Sequence, residues 1–183
     1  MSDLTRVART LGTSERTLRR AASSGLLHAT RESERRLRVP DAERRYLEQR
    51  WSLLSGLRSA LRTEPNVRMA VLFGSVARGD ETAGSDVDML VDLHDPDRFR
   101  MLALEERLSS AVGRDVQLLR LADAQRDPML LAEVLDGGRV LSDRHQRWPR
   151  LHDRAARLRR LAEREFETRA RNAIDGARRS AAS

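Results

Sequence analysis

Two short strings hold the side chains best suited to chemistry: Gly74-Ser75 and, after ten intervening residues, Asp86-Val87-Asp88. A phosphate chain reaches backbone N–H groups only where side chains are small, and an adjacent hydroxyl adds one hydrogen bond. Gly74 and Ser75 meet both needs. Asp86 and Asp88 share one face of an extended chain, because strand side chains alternate. Such a pair repels itself and raises its own pKa unless a cation sits between the carboxylates. Mg²⁺ (or Mn²⁺) would do so, bridging the pair to the phosphates of an NTP as a phosphoryl or nucleotidyl group transfers. Asp-x-Asp alone is common in solvated loops. The whole string, Gly-Ser-x-Ala-Arg-Gly, five residues, then Ser-Asp-x-Asp, is far more restrictive.

These residues must be delivered by strands. Val67 to Phe73 has the apolar content of a buried strand running into the Gly-Ser turn. A second strand starts at Asp86 and continues to Leu93, and a third, Asp115 to Leu119, is entered from Gly113-Arg114. Pro128 to Leu135 reads as a helix ended by Gly137-Gly138, and Arg139 to Ser142 as a last strand. The pattern predicts an α/β (α+β) core.

Over residues 64–142 the motif resembles the minimal nucleotidyltransferases of the DNA polymerase beta superfamily, which often pair with HEPN partners in toxin–antitoxin modules. The resemblance implies that Gly74 and Ser75 hold the triphosphate, that Asp86 and Asp88 are catalytic metal ligands, and that Arg78 and Ser85 shape the nucleotide-binding loop. For Arg78 a structural ion pair with Asp80 or Glu81 is an equal alternative. The family usually adds a third carboxylate on a later strand, as metal ligand or general base. Here Gln117 occupies that register, and an amide cannot take a proton at neutral pH. Asp115 shares its face and could substitute only if the strand were shifted or the substrate sat differently.

Charge is unevenly distributed. Residues 1–60 hold 13 Arg against 7 acids, residues 61–142 hold 10 against 15, and residues 143–183 hold 12 against 6. Basic ends suit a polyanion such as DNA, and an acidic middle needs cations to accept phosphates. All these cations are Arg, a uniform usage that needs no functional cause. Leu4, Val7, Ala8 and Leu11 keep helical spacing, Gly12 ends that helix, and Ser14 caps a second over Glu15 to Ser23. After Gly25 a polar stretch has room for a hairpin before Pro40-Asp41 opens a third helix. This order, with Thr17-Leu18-Arg19, Gly25-Leu26-Leu27 and the arginines of 31–38, resembles the winged helix-turn-helix of the MerR family. The likeness implies that Ser14, Arg16, Thr17, Arg19 and Arg20 face duplex DNA, with Arg35, Arg36 and Arg38 of the wing on phosphates. The other reading is a helical docking module with solvated arginines.

The expected organisation is a winged helix-turn-helix over 1–47, a linking helix and linker over 48–66, a nucleotidyltransferase core over 67–142, and a C-terminal amphipathic helix and tail over 143–183. In that last part Trp148, Leu151, Ala155, Leu158, Ala162, Phe166, Ala170 and Ile174 keep spacings of three and four. The absence of cysteine excludes disulfides and thiolate metal sites, and no apolar run approaches a membrane span, so a cytoplasmic protein is expected. His28, His94, His145 and His152 show no ligand spacing. Two functions compete: a Mg²⁺-dependent enzyme moving a nucleotidyl group to a protein or RNA hydroxyl, and a homodimeric DNA-binding regulator or antitoxin with little turnover. A plain dimerisation protein would leave the motif unexplained.

Overall fold

The structure, a computed structural model, describes residues 3–33, 37–153, 157, 160, 161, 163–166 and 168. Helices α1 (Asp3–Thr10) and α2 (Glu15–Ser24) are joined by a tight turn in which the Ser14 hydroxyl accepts the Thr17 N–H at 3.1 Å. Gly25 ends α2 in the left-handed region, at φ +82°. Strands β1 (Thr30–Arg31) and β2 (Leu37–Arg38) pair antiparallel, with Thr30 opposite Arg38. The next element, α3 (Asp41–Arg62), is a single 22-residue helix. The sequence suggested two helices there; Leu47, Leu54, Leu57 and Leu61 bury one continuous stripe with no breaker between them, so the helix runs on.

From α3 the chain enters β3 (Val67–Leu72), the short helix α4 (Gly74–Arg78), β4 (Val87–Leu93), α5 (Arg98–Val112), β5 (Val116–Arg120), α6 (Leu121–Ala124), α7 (Pro128–Gly137), β6 (Arg139–Asp143) and α8 (Arg147–Asp153). The strand order is β5-β4-β3-β6. β3 runs antiparallel to both neighbours, whereas β4 and β5 are parallel, with α5 in the connection between them. β3 and β4 are buried at every position but Arg68 and Asp88, because both faces of the sheet are covered. One apolar cluster joins Ala70, Leu72, Met89 and Val91 to α3 and α5, and continues into Leu4, Val7 and Leu18 of the N-terminal helices and Leu26 just after them. The other joins Met69, Val71 and Leu90 to α6, α7 and α8.

Sequence spacing predicted neither α4, α5 nor α6. In α5 the apolar side chains spread around the helix, with Leu104 and Leu108 buried but Phe99 and Leu102 exposed, so no stripe announces it. Asp97 caps it by accepting the Phe99 N–H at 2.9 Å. The expected C-terminal helix begins as α8; Ala155, Leu158, Ala162, Ala170 and Ile174 of its stripe lie outside the described residues, and Phe166 is exposed.

A buried arginine ties the two ends of the fold together. Arg139, at the start of β6, donates Nη1 and Nη2 to Glu43 of α3 at 2.6 and 2.9 Å and Nε to the Ala77 carbonyl at 2.7 Å. Its guanidinium lies 3.5 Å over the Tyr46 ring. Beside it the Val140 N–H donates to the Gly25 carbonyl at 3.0 Å.

Candidate functional site

The Gly-Ser turn is stitched to the strand that carries the carboxylates: the Phe73 N–H donates to the Asp88 carbonyl at 3.0 Å. Gly74 then adopts φ +71°, and a Cβ there would lie 2.6 Å from Asp88 Oδ2. Both the backbone and the space require glycine. The Ser75 carbonyl accepts the N–H groups of Gly79 at 2.8 Å and Asp80 at 3.2 Å, which closes α4 and leaves Ser75 half-buried beside the carboxylates' strand.

Asp86 immediately precedes β4 and Asp88 lies within it, both half-buried. Burial, then the charges of Asp86 and Glu133, push the Asp88 carboxyl above its ordinary range, against the pull of Arg78. Two like-charged, half-buried carboxylates beside the glycine turn fit a cation held by Asp86 and Asp88. Among the described residues no group of three His, Cys, Asp or Glu is placed to hold a metal, so further ligands would come from phosphate and water.

Gln117 sits in β5 in register with Asp88, and its side-chain amide donates to Asp86 Oδ2. Asp115 precedes the strand; its carbonyl accepts the Val87 N–H at 2.8 Å and the residue is exposed. The Ser85 hydroxyl accepts the Thr82 N–H at 3.0 Å, and the Ser85 carbonyl accepts Arg114 Nη2 at 2.6 Å. Arg78 pairs with Asp80 at 3.1 Å and Glu133 at 2.9 Å. Glu81, the other partner weighed for Arg78, turns inward to Arg50 and Arg114. The loop between the two motifs is thus pinned from α3 and from the entry to β5. Sequence reasoning gave Arg50, Arg114 and Glu133 no role and weighed Glu81 only for Arg78, because nothing local marks contacts across tens of residues.

On the N-terminal unit, Ser14, Arg16 and Arg20 are exposed and Thr17 and Arg19 half-buried. Arg16, Arg19, Arg20, Ser23 and Ser24 line one open depression along α2, with Arg19 3.7 Å from Glu15. Arg38 lies 4.0 Å from Glu32 across the hairpin. Arg35 and Arg36 lie outside the described residues.

The profile of the family Polymerase beta, Nucleotidyltransferase matches residues 56–147. The protein adenylyltransferase MntA of Thermococcus cleftensis is 38% identical over 74 residues, which span 40% of this chain and 75% of that protein. A protein of Methanocaldococcus jannaschii is 35% identical over 75 residues, spanning 40% and 76%. Among solved structures, a toxin–antitoxin crystal structure with AMP-PNP superimposes with a TM-score of 0.55 at 24% identity, over 66% of this chain and 98% of that one. The toxin–antitoxin MntA–HepT structure gives 0.51 at 22%, over 67% and 97%. At these identities the structural likeness speaks for the fold.

Proposed function

Because the chain belongs to the polymerase beta nucleotidyltransferase family, we propose that it binds an NTP at Gly74 and Ser75 and transfers the nucleotidyl group to a hydroxyl of a partner protein. RNA is the other acceptor class. The carrying observation is the packing of Gly74 against the Asp88 carboxylate, which brings a phosphate-sized turn against a carboxylate pair. The relative named a protein adenylyltransferase makes ATP the first nucleotide to test. In the reaction the acceptor oxygen bonds to the α-phosphorus, the bond to the leaving pyrophosphate breaks, and the hydroxyl proton goes to a base or to water. A divalent cation, Mg²⁺ or Mn²⁺, on Asp86 and Asp88 would neutralise the phosphates. Arg78 and Ser85 keep the loop in place, and Gln117 orients Asp86 but takes no proton.

A second reading, nucleotide binding with little turnover, is favoured by Gln117, an amide that cannot take a proton, at the register where the family resemblance implies an acid. In either case the Arg-bearing α2 and the hairpin behind it act as a MerR-like winged helix-turn-helix on duplex DNA, in a homodimer. The toxin–antitoxin structures among the neighbours support the role of an autoregulating cytoplasmic antitoxin beside a HEPN-like toxin. Incubation of the full chain with labelled ATP, Mg²⁺ and candidate partner proteins tests the transfer. Label on a partner that disappears with Asp86→Asn and Asp88→Asn supports it, and equal labelling by that double variant defeats it.

A further inference from the structure

A second cationic hollow lies at the opposite edge of the sheet from β5. A cleft of 780 Å³ opens between the C-terminal end of α2, the last turns of α3, and β6 with α8. Arg58, Arg62 and Arg144 line it, with Ser24, Trp148 and His152. Arg58 makes no hydrogen bond or ion pair among the described residues, although it is half-buried. Among the described residues the Arg62 side chain reaches only the Ser59 hydroxyl at 3.3 Å, and that of Arg144 only the Leu61 and Arg62 carbonyls at 3.1 and 3.4 Å. The cleft's acid, Asp143, is already occupied by the backbone N–H groups of Arg147 and Trp148, each at 3.0 Å. Like charges four residues apart on a helix are unfavourable, and Arg58 and Arg62 stand so without a carboxylate between them. Burial, then Arg62, makes the Arg58 guanidinium easier to deprotonate than usual, which an anion would reverse.

We propose that this cleft is a second, metal-independent site for a small polyphosphate anion of nucleotide size. The volume suits a nucleotide. The three guanidinium groups match its phosphates, and the edge-on pair of Trp148 and His152, 4.6 Å apart between ring centres, offers an aromatic wall. Duplex DNA suits it less: the cleft is concave, whereas the open arginine face of α2 lies beside it and shares Ser23 and Ser24. Walls from α2 and from β6 mean that an occupant joins the N-terminal unit to the sheet.

The test uses the full chain carrying Asp86→Asn and Asp88→Asn, in EDTA, so the outcome is independent of the transfer site. Tripolyphosphate, ATP and adenosine are titrated by calorimetry and by tryptophan fluorescence. Saturable one-to-one binding of tripolyphosphate or ATP, but not adenosine, is expected, weakened tenfold or more by Arg58→Gln with Arg62→Gln at an unchanged melting temperature. ATP binding tighter than tripolyphosphate marks a nucleotide site, and equal binding marks an inorganic one. No binding, binding undiminished in that variant, or binding lost equally with Arg16→Gln and Arg20→Gln overturns the proposal. So does capture of duplex DNA alone.

Discussion

Gln117 donates its side-chain amide to the Asp86 carboxylate from the adjoining parallel strand, where its own register partner is Asp88. The position that could hold a base is therefore filled by a donor. A missing general base costs about 10²- to 10⁴-fold in rate. Gln117→Asp is expected to raise transfer of labelled nucleotide, and Asp115→Asn to leave it unchanged. If Asp115→Asn abolishes transfer while Gln117→Asp does nothing, Asp115 is the base instead.

The Asp88 carboxyl is held above its ordinary range, so folding favours its protonated form. Its contribution to stability is present below the unfolded value, about 4 for an aspartate, and is lost as pH rises through the folded value. At neutral pH the ionised pair therefore costs stability. In EDTA, Asp88→Asn should melt higher than wild type at pH 7.5, with the difference closing near pH 3. Mg²⁺ should raise the wild type and leave the variant nearly unmoved. An Asp88→Asn protein that melts lower at pH 7.5 contradicts this.

Gly74→Ala combines a left-handed backbone with a Cβ in the space of Asp88 Oδ2. The backbone alone costs about 1–2 kcal/mol, and the clash displaces the carboxylate. Nucleotide affinity should fall sharply in calorimetric titration with Mg²⁺ and ATP. Ser75→Ala, which removes one hydroxyl, should cost far less, and equal losses in the two variants would defeat the close-packing account.

Arg139→Met removes both guanidinium donors from the buried Glu43 carboxylate and leaves it the His28 N–H at 3.0 Å. Breaking such a buried pair costs about 3–5 kcal/mol. Denaturant unfolding should show that loss, and Glu43→Met combined with Arg139→Met should recover much of it. A single-variant loss under 1 kcal/mol, on the order of a surface pair, would mean that the bridge is not effectively buried.

Binding of duplex DNA by the N-terminal unit is read from salt dependence. Each phosphate contact removed should flatten the slope of log K against log salt by about 0.9. Arg16→Ala and Arg20→Ala should do so in anisotropy titrations on upstream DNA, as should Arg36→Ala. Identical affinity for upstream and random duplexes would remove the regulator reading.

The two motifs and the strands under them were legible because their signals are local: an apolar run, a glycine, two acids in alternation. Gln117 could be read as facing the carboxylates once a third strand was expected beside them. Helix α5 was invisible because its apolar residues form no stripe. The network of Glu81, Arg50 and Arg114, and the Arg139–Glu43 pair, were illegible for another reason. Each joins charges far apart in the chain, and the abundance of arginine gives no hint of which one is buried.

The Arg139–Glu43 bridge also sets an order of events during synthesis. The two residues are 96 positions apart, so Glu43 leaves the ribosome roughly 5–20 s before its partner at ordinary elongation rates. Through that interval the N-terminal part lacks both the arginine that covers the Tyr46 ring and the strand whose Val140 N–H holds the Gly25 carbonyl. Final closure waits for nearly the whole sheet to emerge. A chain interrupted before β6 would carry an exposed apolar surface and an unmatched acid, a condition proteases and chaperones act on, so only completed molecules would accumulate.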